Sequence, residues 1–384
     1  MADPKETVYE AEPHTLAKHK ILREYLKRWL PILSNQSRRL GIVNDRLLYV
    51  DGFAGAGEYS DNIPGSPLVA IQTALEHSRD FPAPVHIKFI EKRRDRVEHL
   101  RRLINQRQLE IKGSKKIVVD DPIEGDCEEV VCALIDEHER QGKQLGPALF
   151  FLDQFGYSSL SMGLVNRILR HDVCEVFSYL NWSLLHPFMA DQAKWSGISK
   201  AFGGDEWKDV LGLQGTAREG RFQEIYLAAL RNRGGARYSY PFAMRDSSDR
   251  IIYWLFFSSN SLDGLDQMKR AMWKVDRSGG FEFSDKHVGS MGRLFSYDDK
   301  WLAEQLEVEL DGKEMEVGEV REYVLTTTPC CNFRRALGQL ERNGGLEVTF
   351  APPQRRQGEF SDEHIKVRFG RKVTPTQLSI FDEG

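Results

Sequence analysis

The sequence predicts an α/β protein built on a doubly wound, mostly parallel sheet, with a helical insertion and a small winged-helix-like unit near its C-terminal end. Three observations predict it. Five short, almost continuously apolar runs are each followed by turn residues and a longer charged segment, the alternation of strands and covering helices. Two later apolar runs, 238–244 and 251–258, flank the polar stretch RDSSD and read as an antiparallel pair closing the sheet. The last 70 or so residues change character, to two short helices and two short strands around a basic turn.

Composition agrees. The 384 residues are 41% apolar, 29% charged and 10% aromatic, a globular balance that excludes a disordered or collagenous chain. At roughly 100–200 residues per domain, two or three domains are expected. A net charge of −4 makes any basic surface local. Cys127, Cys132, Cys174, Cys330 and Cys331 form no CxxC pair and read as reduced thiols. No apolar run approaches the ~20 residues of a membrane span. The acidic opening MADPKETVYEAEPH is not a signal peptide, so a soluble cytoplasmic protein is expected.

Residues 1–14 read as a loose leader. An amphipathic helix starts at Thr15, with Leu16, His19, Ile21, Leu22, Tyr25, Leu26, Trp29 and Leu33 at three- and four-residue steps, and Pro31 bends or shortens it. Strands follow at 47–50, 85–90, 116–119, 148–153 and 174–180, with helices at 67–76, 93–105, 127–139 and 160–169. Residues 184–235 carry no strand signal and read as a helical insertion, and a helix is expected at 262–274. Residues 276–310 are ambiguous. Beyond them, a helix at 316–327 ends at Pro329, Asn332 caps another running to Arg342, and Asn343-Gly344 stops it. LEVTF, the turn PPQRRQGEF and IKVRF complete the winged pattern.

Ligands of doubly wound sheets bind at the carboxyl ends of the strands, and the acids of this chain gather there. The first strand ends in Asp51 and runs into Gly52, Gly55 and Gly57, a loop that lets backbone approach a ligand closely. It is neither GxGxxG nor GxxxxGK[ST], so the dinucleotide and phosphate-loop signatures are absent. It suits a ligand with a charged amino acid part, Asp51 bearing on the cation. Glu91 ends the second strand, where a ribose is held in such folds. Asp126 follows the third, where a carboxylate meets an adenine amine. Asp153 ends the most hydrophobic strand, with Phe155 two positions on, an acceptor for an amine beside a ring that stacks a flat base. Each alone is an ordinary turn or surface acid; four at four consecutive strand ends are not easily dismissed.

The pattern resembles class I S-adenosylmethionine-dependent methyltransferases. More closely, KHKILREYLKRWLPIL (18–33), YVDGFAGAGEY (49–59), GSPLVAI (65–71), LFFLDQFGYSSLSM (149–162) and IYWLFFSSNSLDGLDQMKRAMWKV (252–275) resemble the three-Cys-motif partner family (TcmP). The front half is also similar to ribosomal RNA adenine-N6 methyltransferases, which share a Lys-His helix, a GAG-Y loop, a PGSP segment and an acid-Pro-Pro-aromatic motif. The resemblance implies that Asp51, Gly55 and Gly57 hold the methionine part of S-adenosylmethionine, Glu91 its ribose and Asp126 its adenine. It implies that Asp153 and Phe155 present a target amine, that Lys18 and His19 close over the site, and that no metal is needed. It also implies a partner, a three-cysteine protein resembling an iron–sulfur radical enzyme. The chain departs from the motif at Gln154, where amine methyltransferases of this kind carry proline, and the loss of that fixed φ puts amine methylation in question. The expected domains are 1–44, a leader and helix; 45–275, the methyltransferase-like body with its insertion at 184–235; 276–310, a connector; 311–372, the winged-helix-like unit; and 373–384, a tail.

Two features point to nucleic acid. Arg334, Arg335, Gln339 and Arg342 lie on the candidate recognition helix, and Arg355 and Arg356 on the wing, with Lys366 and Arg368 on the last strand, residue types that meet phosphates and base edges. In the tail, Gln377, Leu378, Ile380 and Phe381 resemble the pentapeptide that binds the bacterial sliding clamp, three apolar anchors and a hydrogen-bonding glutamine. The basic helix 93–102 reads as an outer face. The functional expectation is methyl transfer to a nucleobase in DNA repair or modification, with DNA, the three-cysteine partner and the clamp as partners. The alternatives are an inactive scaffold of the same fold and an RNA base methyltransferase.

Overall fold

The computed structural model describes residues 5–39, 47–78, 81, 84–142, 145–154, 160–276, 282–284 and 297–370. Within them the chain forms two compact units, one reaching to residue 276 and including 282–284, the other spanning 297–370.

The first unit begins with helix α1 (Pro13–Arg39), whose buried stripe is Ile21, Leu22, Tyr25, Leu26 and Trp29. Leu16, expected on that stripe, is 42% exposed. Pro31 does not shorten the helix, which continues through it to Arg39. α1 packs against α2 (Ser66–Leu75), where Arg23 Nη2 donates to Gln72 at 3.3 Å, and proline costs the helix one backbone hydrogen bond. The expected loose leader is a correction. Arg93 Nη2 donates to the Lys5 carbonyl at 2.8 Å, Thr7 Oγ1 donates to Asp95 at 2.6 Å, and Ser60 N donates to the Tyr9 carbonyl at 2.9 Å. The carbonyls of Lys5 and Glu6 accept from Arg93 and Arg96, at the start of a helix expected to face solvent, and Tyr9 to Glu12 line a cavity together with the glycine loop. That helix, α3 (Arg94–Gln106), buries Arg96 to 2% exposure, with its guanidinium 5.8 Å from the Tyr9 ring.

The strands are β1 (Leu47–Asp51), β2 (Val85–Glu91), β3 (Ile117–Val119), β4 (Ala148–Leu152), β5 (Cys174–Asn181), β6 (Tyr238–Arg245), β7 (Ile251–Ser259) and β8 (Glu282–Ser284). Their order in the sheet is β8-β6-β7-β5-β4-β1-β2-β3. From β3 to β5 every pairing is parallel, whereas β7 runs antiparallel to both β5 and β6. β1, β4 and β5 are buried along their whole length, as strands covered on both faces must be, which is why they read as unbroken apolar runs. The covering helices α4 (Cys127–Arg140), α5 (Met162–Leu169) and α9 (Leu262–Trp273) lie within a residue or two of the sequence expectation. The insertion is helical, as α6 (Trp182–Phe188), α7 (Trp195–Phe202) and α8 (Gly215–Asn232), and packs Phe222 against Trp254 and Tyr226 against Phe256 of β7, with Phe202 against Phe222 and Tyr226. An antiparallel strand inserted beside the fifth parallel strand, with strand order reversing between β1 and β4, is the class I methyltransferase-like sheet.

The second unit contains α10 (Asp299–Glu309), β9 (Glu314–Glu316), α11 (Val317–Thr327), α12 (Phe333–Asn343), β10 (Leu346–Phe350) and β11 (Lys366–Phe369). Its sheet has the order β9-β11-β10, antiparallel throughout. A capping box between Glu316 and Glu319 starts α11, and Gly344 in the left-handed region, φ 76°, ends α12. Asn332 stands at the N-cap of α12, but its side chain makes no capping bond. The unit extends upstream of the expected 311, because α10 contributes Leu302, Ala303 and Leu306 to its core.

Candidate functional site

The site lies where the strand order reverses, at the carboxyl ends of β1 and β4. A cavity of about 380 Å³ opens there between the glycine loop, the start of α1 and the leader. The loop turns because Gly55 and Gly57 take positive φ, 62° and 89°. A side chain at Gly57 would strike Leu100 at 2.6 Å; at Gly55 a Cβ would meet nothing within 4 Å. The loop is pinned by Glu91, whose carboxylate accepts from Gly55 N at 2.9 Å and from Arg93 N at 2.8 Å.

Asp51 is fully buried directly behind this loop. Its Oδ1 accepts from Phe53 N at 3.2 Å, and its Oδ2 has no hydrogen-bond partner. Burial pushes its carboxyl up to about 7; the Ser66 hydroxyl and the Phe53 amide oppose this, Asp153 adds to it, and Lys18 opposes it. Asp153 lines the cavity and accepts from Lys18 Nζ, which also lies 5.5 Å from the Tyr179 ring and 5.8 Å from the Tyr253 ring. Gln154 is 2% exposed; its Nε2 donates to the Tyr179 carbonyl at 3.3 Å and its Oε1 has no partner among the described residues. Of the described lining residues, Lys18 is the single lysine or arginine.

The structure therefore brings Lys18, Gly55, Gly57 and Asp153 to the cavity wall, while Asp51 and Glu91 are buried behind the glycine loop and do not line the cavity. His19 is not part of the lining. Its ring lies 5.6 Å from that of Tyr59, and burial, then Lys18, lowers its pKa to about 3, so it is a neutral packing group. Asp126 caps α4 by accepting from Glu128 N at 3.0 Å and pairs with Lys92 at 3.3 Å; one third of its side chain is exposed. Phe155 lies outside the described residues. Tyr9, Tyr179 and Asn181 line the cavity unannounced by any motif, and Tyr59 and Tyr253 line it from within quoted motifs that gave them no role. Tyr253 is there because β7 is antiparallel, so its first residues meet the last residues of β5, Tyr253 opposite Asn181.

The residues present fit a cationic amino acid ligand. A buried carboxylate oxygen without a partner stands behind a glycine loop open to the cavity, and an unpaired acceptor in such surroundings costs about 1–3 kcal/mol until a donor arrives.

No family model matches the chain, and no curated protein matches it. Among solved structures it is similar to a Legionella pneumophila protein of the DUF519 family model, at 12% identity over 64% of this chain and 85% of that one, TM-score 0.34. It is also similar to a putative S-adenosyl-L-methionine-dependent methyltransferase from Methanococcus maripaludis, at 11% identity over 68% and 97%, TM-score 0.26. A third likeness is geranyl diphosphate methyltransferase in complex with GPP and sinefungin, at 13% identity over 60% and 77%, TM-score 0.24. The strand order and directions described above, not these likenesses, define the fold.

In the second unit Arg334, Arg335, Gln339 and Arg342 line one groove beside the backbone of Gly358 to Ser361. Arg335 leaves 77% of its side chain exposed, and Arg356 is exposed on the wing. Arg355 is a correction. Its guanidinium is buried on Glu341, donates to the Glu359 carbonyl and stacks 4.4 Å from the Phe360 ring, so it holds the turn and is not presented to a ligand. Gln377, Leu378, Ile380 and Phe381 lie outside the described residues. All five cysteines are free thiols, and burial pushes Cys127 and Cys174 well above the usual thiol range. Among the described residues no helix is long and apolar enough to cross a membrane.

Proposed function

We propose that this protein is an S-adenosylmethionine-dependent methyltransferase acting on an exocyclic amine of a nucleobase, in DNA repair or modification. The observation that carries the reading is the buried Asp51 Oδ2, without a partner among the described residues, behind the open Gly55 loop, with Asp153 lining the cavity in front of it. The bound donor supplies an electrophilic methyl group on a positively charged sulfur. Asp51 would hold its ammonium, and Glu91, with one lone pair left on each oxygen, its ribose. Asp153 would accept an N–H of the target and so orient its lone pair. Tyr179 and Tyr253 offer ring faces for a flat base, and the leader excludes water. Positioning of this kind supplies much of the rate of a bimolecular transfer. The groove of the second unit would hold the nucleic acid, and the three-Cys-motif partner and the sliding clamp are the protein partners proposed with it.

Calorimetry with S-adenosylmethionine tests the reading. Binding that weakens at least tenfold in Asp51→Asn supports it, and no binding at millimolar ligand removes it.

The occupied state of Asp153 and the glutamine at 154 favour a second reading, a scaffold that keeps the fold and recruits partners. Loss of function on deleting 377–381, with Asp153→Ala silent, selects that reading. Methylation of ribosomal RNA but not DNA selects the RNA alternative.

A further inference from the structure

Asp153 is met by a donor from its own chain, the Lys18 ammonium, which lies near the faces of Tyr179 and Tyr253. The neighbouring side chain, Gln154, is more than nine-tenths buried. Its amide has one possible orientation, because the Tyr179 carbonyl accepts only from Nε2, which leaves Oε1 as the atom without a partner. Asn181 is not equivalent: its Nδ2 donates to the Tyr179 hydroxyl at 2.7 Å, and its Oδ1 accepts from Ser183 Oγ and Leu184 N. Of these two buried amides, Gln154 alone keeps an acceptor in reserve.

We infer that Gln154 is the specificity-determining residue of the target pocket: a primary amine on a flat ring displaces Lys18 from Asp153 and donates its second N–H to Gln154 Oε1. The inference rests on the amine-methylation reading and narrows it. Two acceptors lining one cavity, Asp153 and Gln154, would match the two hydrogens of an adenine or cytosine amine, and oppose the carbonyl oxygen that guanine, hypoxanthine or uracil presents at the same place. Leaving buried polar groups unpaired is what makes such a site reject the wrong edge. The glutamine side chain thereby provides an acceptor at the position where related motifs carry proline, and Gln154 is a positioning residue that does no chemistry itself. Lys18 is a resident stand-in for the target, so its removal frees the site.

The experiment is a titration of the full chain, saturated with S-adenosylhomocysteine, by adenosine against inosine and by cytidine against uridine. The amino member of at least one pair is expected to bind ten or more times tighter. Gln154→Met, close in volume but without the acceptor, reduces that ratio to threefold or less, with the melting temperature confirming a folded protein. Lys18→Met raises affinity for the amino nucleoside, whereas a merely structural lysine would lower it. Equal affinities in the wild type, no nucleoside binding, or a ratio unchanged in Gln154→Met overturns the inference. If S-adenosylhomocysteine itself does not bind, the methyl-donor reading fails separately, and the cytidine–uridine pair run without it still decides the role of Gln154.

Discussion

Two buried carboxyls, Asp51 and Glu175, are pushed up to about 7, in both cases chiefly by burial, and they answer different questions. Asp51 faces the proposed ligand. Below pH 7 it is mostly neutral and a cation gains little from it; above pH 7 it is ionised. Affinity for S-adenosylmethionine should therefore rise several-fold between pH 6 and 8, and Asp51→Asn should flatten the profile in calorimetry. Glu175 faces no ligand. It accepts from the Tyr25 hydroxyl and from Ser259 Oγ at 3.1 Å, tying α1 to the sheet. Its folded value lies above the unfolded one of about 4.3, so the native state binds the extra proton. The stability it contributes is complete below about pH 4 and is lost as pH rises through 7, on the order of 3 kcal/mol in all. Thermal melts from pH 5 to 8 should fall more steeply for the wild type than for Glu175→Gln; parallel curves would remove this role for Glu175.

At the scale of elements, Arg355 and Arg356 are neighbours in the sequence and opposites in the fold. Arg355 pairs with Glu341 where the side chains are only 10% and 13% exposed, and Glu341 also accepts from Gly358 N. Arg355→Ala leaves a half-satisfied carboxylate in that place and should cost about 3 kcal/mol in urea unfolding. Arg356→Ala should change stability by less than about 0.5 kcal/mol. Nothing in PPQRRQGEF separates the two, because the difference is made by α12, ten or more residues away. The same contrast runs through the molecule. β4 was legible because a strand buried on both faces must be written in apolar residues, and the Asp51, Glu91 and Asp153 positions because strand ends place them. The leader was not legible: its anchors are backbone carbonyls, and Arg93 and Arg96, which reach them, read as surface charge. Tyr253 could be found only by knowing that β7 runs antiparallel. α10 lay in an ambiguous stretch, and its role in a core is set by its partner α12.

For the whole molecule, charge decides how nucleic acid would have to bind. With a net charge of −4 the chain has no general attraction for a polyanion, so affinity must come from a local set of cations. The groove of the second unit offers Arg334, Arg335 and Arg342; Arg334 Nε donates to the Phe360 carbonyl at 2.8 Å, and Arg335 pairs with Asp299 at 3.6 Å but keeps 77% of its side chain exposed, so Arg335 and Arg342 are the two better placed to give phosphate contacts. Each phosphate neutralised releases about 0.9 of a counterion from duplex DNA, and the slope of log affinity against log salt counts them. Anisotropy titrations of the full chain with a 20-base-pair duplex, from 50 to 200 mM salt, should give a clear negative slope. Replacing Arg335 and Arg342 together by alanine should reduce its magnitude by about 2 and weaken binding alike across sequences, since phosphate contacts carry no sequence information. Arg355→Ala is a poor substitute, because it would lower affinity by unfolding the turn and not by removing a phosphate contact. A slope that survives the double substitution would show that the groove is not the nucleic-acid face, and would leave the proposed methyl-transfer site to find its base without it.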